Sequence, residues 1–186
     1  MRIISGYLRG RKITQPNNKL TRPLKDLMKE SIFNILQHSN LISFSLEKSK
    51  ILDLFSGVGS FGLECISRGA QNVIFCENYS VAIKILKENI TNLKCHQKTQ
   101  IITKNIFNIK NLNQFHKKKF EIIFLDPPYK EKKLTNLLDD ILSLKLLKNN
   151  GIIIIHRHKK EEEIYPKKFK ILKIKTYGIS KIIFGN

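Results

Sequence analysis

No apolar run in this 186-residue chain approaches the roughly 18 to 20 residues that would cross a bilayer, and the N-terminus lacks the apolar core of a secretory signal. A cytoplasmic protein is the expectation. Cysteine is scarce: Cys65, Cys76 and Cys95 are an odd number without C-x-x-C spacing, so neither a disulfide framework nor a zinc site is indicated and reduced structural thiols are expected. His156 and His158 share one strand face without an acid or thiol beside them, and read as solvated or nucleic-acid-facing side chains rather than metal ligands. No metal is expected, and there is no internal repeat or low-complexity linker.

Negative charge is also sparse. Fifteen Asp and Glu stand against 34 Lys and Arg, a net charge of +19 and a pI near 9.9, which attracts a polyanion such as nucleic acid. Lysine abundance in a chain crowded with Lys, Ile and Asn is a pattern that biased codon usage can produce without any function. Arginine is more telling. There are six, and Arg2, Arg9, Arg11 and Arg22 fall within the first 22 residues; the planar guanidinium suits bidentate phosphate contacts. With Lys12, this arm is the candidate nucleic-acid surface.

The length admits one sizeable core with a small appendage. Residues 2–5 and 10–14, divided by Gly6 and Gly10, read as a short hairpin, and 24–37 as a helix placing Leu24, Leu27, Met28, Ile32, Ile35 and Leu36 on one face, with Pro23 in its first turn. From residue 50 strands and helices alternate: strands at 50–55, 72–77, 99–104, 120–125 and 152–155, helices at 60–68, 79–92 and 132–146, and a short helical segment near 107–116. A strand pair at 169–176 and 180–184 turns around Gly178. Repeated βα units predict an α/β, mostly parallel doubly wound sheet, with an antiparallel C-terminal edge.

Two motifs fall at strand ends, where ligands bind in open α/β sheets. Asp53-Leu54-Phe55-Ser56-Gly57-Val58-Gly59-Ser60-Phe61-Gly62 runs from the first strand into the following helix, and Glu77 ends the second strand. Gly57, Gly59 and Gly62 match the dinucleotide spacing, with Glu77 placed to bind ribose hydroxyls. Asp53, however, would oppose a pyrophosphate and would hold a cationic or amino-bearing ligand. S-adenosylmethionine is such a ligand, with a sulfonium, an α-ammonium and no phosphate. The second motif, Asp126-Pro127-Pro128-Tyr129, follows the buried run Phe120–Leu125. Its prolines make a rigid wall and leave the Asp126 carboxylate and Pro127 carbonyl as acceptors, suited to an amino group held flat against a ring.

These segments resemble the donor-binding and catalytic motifs of class I S-adenosylmethionine-dependent methyltransferases that act on exocyclic amines. Met1–Gly6, Arg9-Gly10-Arg11-Lys12, Thr21-Arg22-Pro23 with Asp26, Ser31–Leu36, Ser67-Arg68-Gly69-Ala70 and Tyr177-Gly178 narrow the resemblance to the RsmD family of 16S ribosomal RNA guanine-N2 methyltransferases. The match spans nearly the whole chain. It implies a Rossmann-like fold over 1–186 with residues 1–22 as an N-terminal hairpin arm, and 16S ribosomal RNA as substrate, free or within a small-subunit particle; a monomer is the simple default.

The implied donor site comprises Asp53, Phe55, Gly57, Gly59 and Glu77, then Asn78, Asn105, Ile106 and Asp126. Asn105 stands where the family usually has aspartate, Leu24 where it has threonine and His156 where it has glutamate. The implied catalytic residues are Asp126, Pro127 and Tyr129, with Tyr129 stacking on a base turned out of its helix or loop. The implied RNA contacts are Arg2, Arg9, Arg11, Lys12, Arg22 and Tyr129. Three other readings stay open here: a DNA amino-methyltransferase, a non-catalytic RNA-binding assembly factor, and a nicotinamide oxidoreductase.

Overall fold

The computed structural model describes residues 1–16, 26–129 and 131–186; Arg22, Pro23 and Leu24 lie outside them. After an N-terminal arm come α1 (Asp26–His38), β1 (Lys50–Leu54), α2 (Ser60–Ser67), β2 (Asn72–Cys76), α3 (Ser80–Asn92) and β3 (Thr99–Ile102). The chain continues through α4 (Ile109–Leu112), β4 (Phe120–Leu125), α5 (Leu134–Ser143), β5 (Leu147–His158), β6 (Ile171–Tyr177) and β7 (Ser180–Gly185). The strands form one seven-stranded sheet in the order β3-β2-β1-β4-β5-β7-β6. The first five run parallel, and β7 and β6 close the edge antiparallel.

Alternation along the central strands sorts the core into two layers. Ile51, Val73, Phe75, Ile122, Phe124, Ile152 and Ile154 join α1, α2, α3 and the arm on one face. Leu52, Leu54, Ile74, Ile123, Leu125, Ile153 and Ile155 pack with α4 and α5 on the other. Burial on both faces explains the near-continuous apolar runs of β1, β4 and β5. All eight residues of α2 are buried, and Gly62 lets the helix lie against the Phe75 and Val73 side chains. A Cβ there would lie 2.3 Å from the Phe75 ring.

Three expectations are corrected. The anticipated hairpin is shorter than 2–5 and 10–14: Ile3 N donates to Arg11 O, Ile13 N to Met1 O and Gly10 N to Ile3 O around the single bridge Arg2↔Lys12, while the outward N–H groups of Ile4 and Ser5 turn to Glu64, that of Leu8 to Ser67 Oγ and that of Thr14 to Asn89. Helix α1 buries Met28, Lys29, Ile32, Phe33 and Leu36, whereas Leu27 is 66% exposed; helical rotation carries it off the face formed by positions 28, 32 and 36. Strand β5 extends well beyond 152–155. Its polar ends are held by pairing with β4 and β7, which a hydrophobic pattern does not record. The cysteines are buried and unpaired, and burial pushes the Cys95 thiol up to about 11.

The arm is secured to α2 by a buried charge cluster. Glu64 Oε2 accepts from Ile4 N at 2.8 Å and Oε1 from Ser5 N and Arg68 Nε, both at 2.9 Å, while the Lys29 ammonium lies 3.8 Å away and donates to Arg2 O at 2.8 Å. Burial holds Lys29 below its ordinary value, opposed by the Glu64 and Asp26 charges. Without Glu64 the buried Lys29 keeps only the half-exposed Asp26 carboxylate, 3.6 Å away, as counter-charge, and the N–H groups of Ile4 and Ser5 lose their acceptor. Glu64→Ala should therefore cost about 3–5 kcal/mol, measured by urea unfolding; a loss under about 1 kcal/mol, the scale of an exposed pair, would contradict this account.

Candidate active site

Each parallel strand delivers its C-terminal end to the same edge, and the chain turns outward in both directions from the β1–β4 pair, leaving a crevice between their loops. Asp126 N donates to Leu54 O at 3.3 Å, so the loops after β1 and β4 start side by side.

The loop after β1 turns through left-handed backbone at Phe55 (φ 61°), Gly57 (φ 55°) and Gly59 (φ 87°). At Phe55 this conformation costs of order 1–3 kcal/mol, and its ring rests on Phe107 with centroids 5.2 Å apart. Gly59 precedes α2 and has no side chain to cap it. Asp53 substitutes from the strand beneath, its Oδ2 accepting from Gly62 N at 3.0 Å. This bond places a carboxylate at the helix N-terminus where a dinucleotide fold places pyrophosphate, which disfavours the nicotinamide reading.

Asp53 is 1% exposed, yet its Oδ1 has no hydrogen-bond partner among the described residues. A buried acceptor left open is costly unless a ligand completes it. Burial, chiefly, raises its carboxyl well above the usual carboxylate range; the Gly62 N–H opposes this, and the charges of Asp126 and Glu77 add to it. Three neighbouring carboxylates thus favour a cation. An ammonium- and sulfonium-bearing donor fits both the open oxygen and the field.

Glu77 closes the loop: Oε2 accepts from Gly57 N at 2.8 Å, and Oε1 from Asn78 N and Tyr79 N, each at 2.9 Å. One Oε2 acceptor position is left for a ribose hydroxyl. Asn105 Oδ1 accepts from Phe107 N at 3.0 Å, so it organises its own turn, while Ile106 is buried. Asn89 joins this region to the arm, with Nδ2 donating at 3.1 Å to both Thr14 O and Val58 O.

Across the crevice Pro127 is buried, and Asp126 and Tyr129 are half-buried. His156 corrects the expectation of a solvated ring: it is 4% exposed, and its Nδ1 lies 2.8 Å from Asp126 Oδ1. Pairing of β5 with β4 brings together residues thirty apart in sequence. Arg157, which no sequence motif singles out, is 1% exposed. It donates to Pro128 O at 2.8 Å, Tyr129 O at 2.9 Å and Glu131 O at 3.2 Å, reaches Pro127 O only at 3.5 Å, and pairs with Glu163. The available signal was an arginine inside an apolar strand. Tyr129 packs edge-on against His158, centroids 5.2 Å apart.

Arg2, Arg9, Arg11 and Lys12 are all exposed along the arm. Arg11 Nη2 donates to Asn92 O at 3.1 Å, and Asn92 lines a groove on α3 with Lys84, Lys87, Glu88 and Thr91. Arg22 lies outside the described residues. No described helix is long and apolar enough to cross a membrane.

The family described as Conserved hypothetical protein 95 matches residues 1–186. Ribosomal RNA small subunit methyltransferase D of Haemophilus influenzae is 35% identical over 186 residues, covering 96% of this chain and 90% of that protein. Among solved structures, HI0767 of Haemophilus influenzae superposes with a TM-score of 0.73 at 30% identity, covering 99% of this chain and 96% of that one. The yhhF protein of Escherichia coli shares the fold with a TM-score of 0.80 at 23% identity, covering 100% of this chain and 96% of that one.

The raised carboxyl at Asp53 fixes a sign. A folded state that holds this proton more tightly than the unfolded chain loses stability as pH rises from the ordinary carboxylate range toward the raised folded value. Asp53→Asn should therefore become progressively more stable than wild type as pH rises above about 4, in urea unfolding across pH. A difference that is flat or shrinks would contradict the burial argument.

Proposed function

The chain belongs to the Conserved hypothetical protein 95 family, the RsmD family, and from that membership we propose that it methylates the exocyclic N2 of a guanine in 16S ribosomal RNA. It is an S-adenosylmethionine-dependent ribosomal RNA methyltransferase of class I, Rossmann-like fold. The finer reading treats the chain as one catalytic unit, a cytoplasmic monomer, with residues 1–22 as its RNA-contacting arm. Its substrate is the small-subunit RNA, free or within a particle.

The observation that carries this reading is the open Asp53 Oδ1 beneath one loop with Asp126 on the adjoining one. S-adenosylmethionine, when bound, supplies an electrophilic methyl group on a cationic sulfur. Asp53 holds the methionine portion, and Glu77 takes a ribose hydroxyl through its remaining Oε2 position. Phe55 and Ile106 furnish apolar contacts, and Gly57 and Gly59 let the backbone approach closely. Asn78 and Asn105 flank the nucleoside end.

Guanine N2 is a weak nucleophile because its lone pair is delocalised into the ring. Asp126 and the Pro127 carbonyl accept its two hydrogens and draw the nitrogen toward a pyramidal geometry, localising the pair. Arg157, by pinning the carbonyls at 128, 129 and 131, keeps these acceptors aligned. On accepting a methyl group, with a neutral thioether as the leaving group, the nitrogen would lose one proton, for which Asp126 is the adjacent base. Tyr129 stacks on the extruded base. Arg2, Arg9, Arg11 and Lys12 grip phosphates around it.

Asp126→Ala should lower methyl transfer to small-subunit ribosomal RNA by about a hundredfold or more, while calorimetry still registers donor binding. Equal transfer by both proteins would remove Asp126 from the reaction. Arg9→Ala with Arg11→Ala should weaken RNA binding and reduce the salt slope of log K by about one unit per lost phosphate contact. An unchanged slope would move the RNA surface elsewhere.

A further inference from the structure

Consecutive residues of β5 secure the Asp126–Tyr129 loop from opposite faces of the strand. Arg157 takes the loop's backbone, through carbonyls 128, 129 and 131. His156 takes its side chains. Its Nδ1 stands 2.8 Å from Asp126 Oδ1 and its Nε2 3.4 Å from the Tyr129 hydroxyl, which lies 3.2 Å from Ser180 Oγ.

The tautomer follows from the donors available. An ionised carboxylate only accepts, so Nδ1 carries the hydrogen; in the neutral ring Nε2 is then an acceptor, and the Tyr129 hydroxyl is its donor. Ser180 completes the chain by donating to Tyr129. One side chain thereby orients both working ends of the motif. A terminal carboxylate rotates broadly about its last bond, and a buried donor on one oxygen stops that rotation without cancelling the anionic charge as a lysine or arginine would.

We propose that His156 is a positioning residue for methyl transfer: its Nδ1–H holds Asp126 Oδ1 so that Oδ2 meets the substrate amine, and its Nε2 sets the Tyr129 ring for the base. This rests on the reading of Asp126 as the amine acceptor. The role is distinct from donor binding, because the Asp53 contacts belong to β1 and its loop. It is also distinct from packing, because it depends on which ring nitrogen carries the hydrogen.

The test compares wild type with His156→Leu, His156→Asn, His156→Gln and Asp126→Ala, measuring kcat, the KM of donor and RNA, and donor affinity by calorimetry. The Asn amide reaches approximately the Nδ1 place and the Gln amide the Nε2 place. His156→Leu should lose about a hundredfold in kcat, the scale of a misplaced catalytic group, with donor affinity near wild type. Asn should restore most of the loss and Gln little. Wild-type kcat in the Leu variant, or equal defects in Asn and Gln, would overturn the proposal, and so would a parallel loss of donor binding. If the Leu variant fails to fold, the Asn and Gln pair decides.

A second readout needs no turnover. Nitrogen-15 NMR of the imidazole should show, in the neutral ring, a protonated Nδ1 whose proton signal is lost in Asp126→Ala; the opposite tautomer would refute the assignment. Should wild type itself transfer no methyl group to small-subunit ribosomal RNA, the functional reading falls and the positioning role falls with it. That outcome is separate from an active wild type that tolerates His156→Leu.

Discussion

The parallel pairing of β1 with β4, in the register Asp53↔Phe124 and Leu54↔Leu125, is the constraint on which the site depends. It sits where the strand order reverses, so the two loops emerge on one edge with no helix between them. The neighbours extend the same edge. Glu77 follows β2 on one side and His156 rides β5 on the other, so four adjacent strands present acid, acid, acid and imidazole in a row. A shift of one residue between β1 and β4 would send these side chains to opposite faces of the sheet.

The electrostatics of that row invert those of the chain as a whole. A molecule of net charge +19 places three of its few carboxylates around one crevice, each held by different means: Asp53 by Gly62 N, Glu77 by Gly57, Asn78 and Tyr79, and Asp126 by His156. Their mutual repulsion and burial disfavour an empty site and favour a cationic ligand. The described arginines of the arm, by contrast, are exposed. Acidic interior and basic exterior match a cationic small molecule and a polyanionic substrate that must meet at one point.

Much of this was legible from residue order. Strand 120–125 is legible to the residue because its apolar run is bounded by charge before and proline after, and the glycine loop with Asp53, Glu77 and Asp126 marks the edge that carries the site. What was not legible depends on partners distant in sequence. His156 and Arg157 look like polar residues ending a strand, and their burial follows from contacts thirty or so residues away. The arm reads as a hairpin because its own pattern alternates, and it does pair at Arg2↔Lys12, but its outward N–H groups are held by Glu64 and Ser67, some sixty residues on, which anchor it to α2. Local periodicity reports the period of an element and not what competes for its backbone.

The claim that a single crevice joins Asp53 to Asp126 is tested most directly by a crystal structure with S-adenosylhomocysteine. The account predicts the ligand's amino-acid portion against Asp53 Oδ1, its ribose beside Glu77, and its sulfur directed toward Asp126. A ligand seated elsewhere, or loops that open Asp53 and Asp126 onto separate cavities, would contradict it.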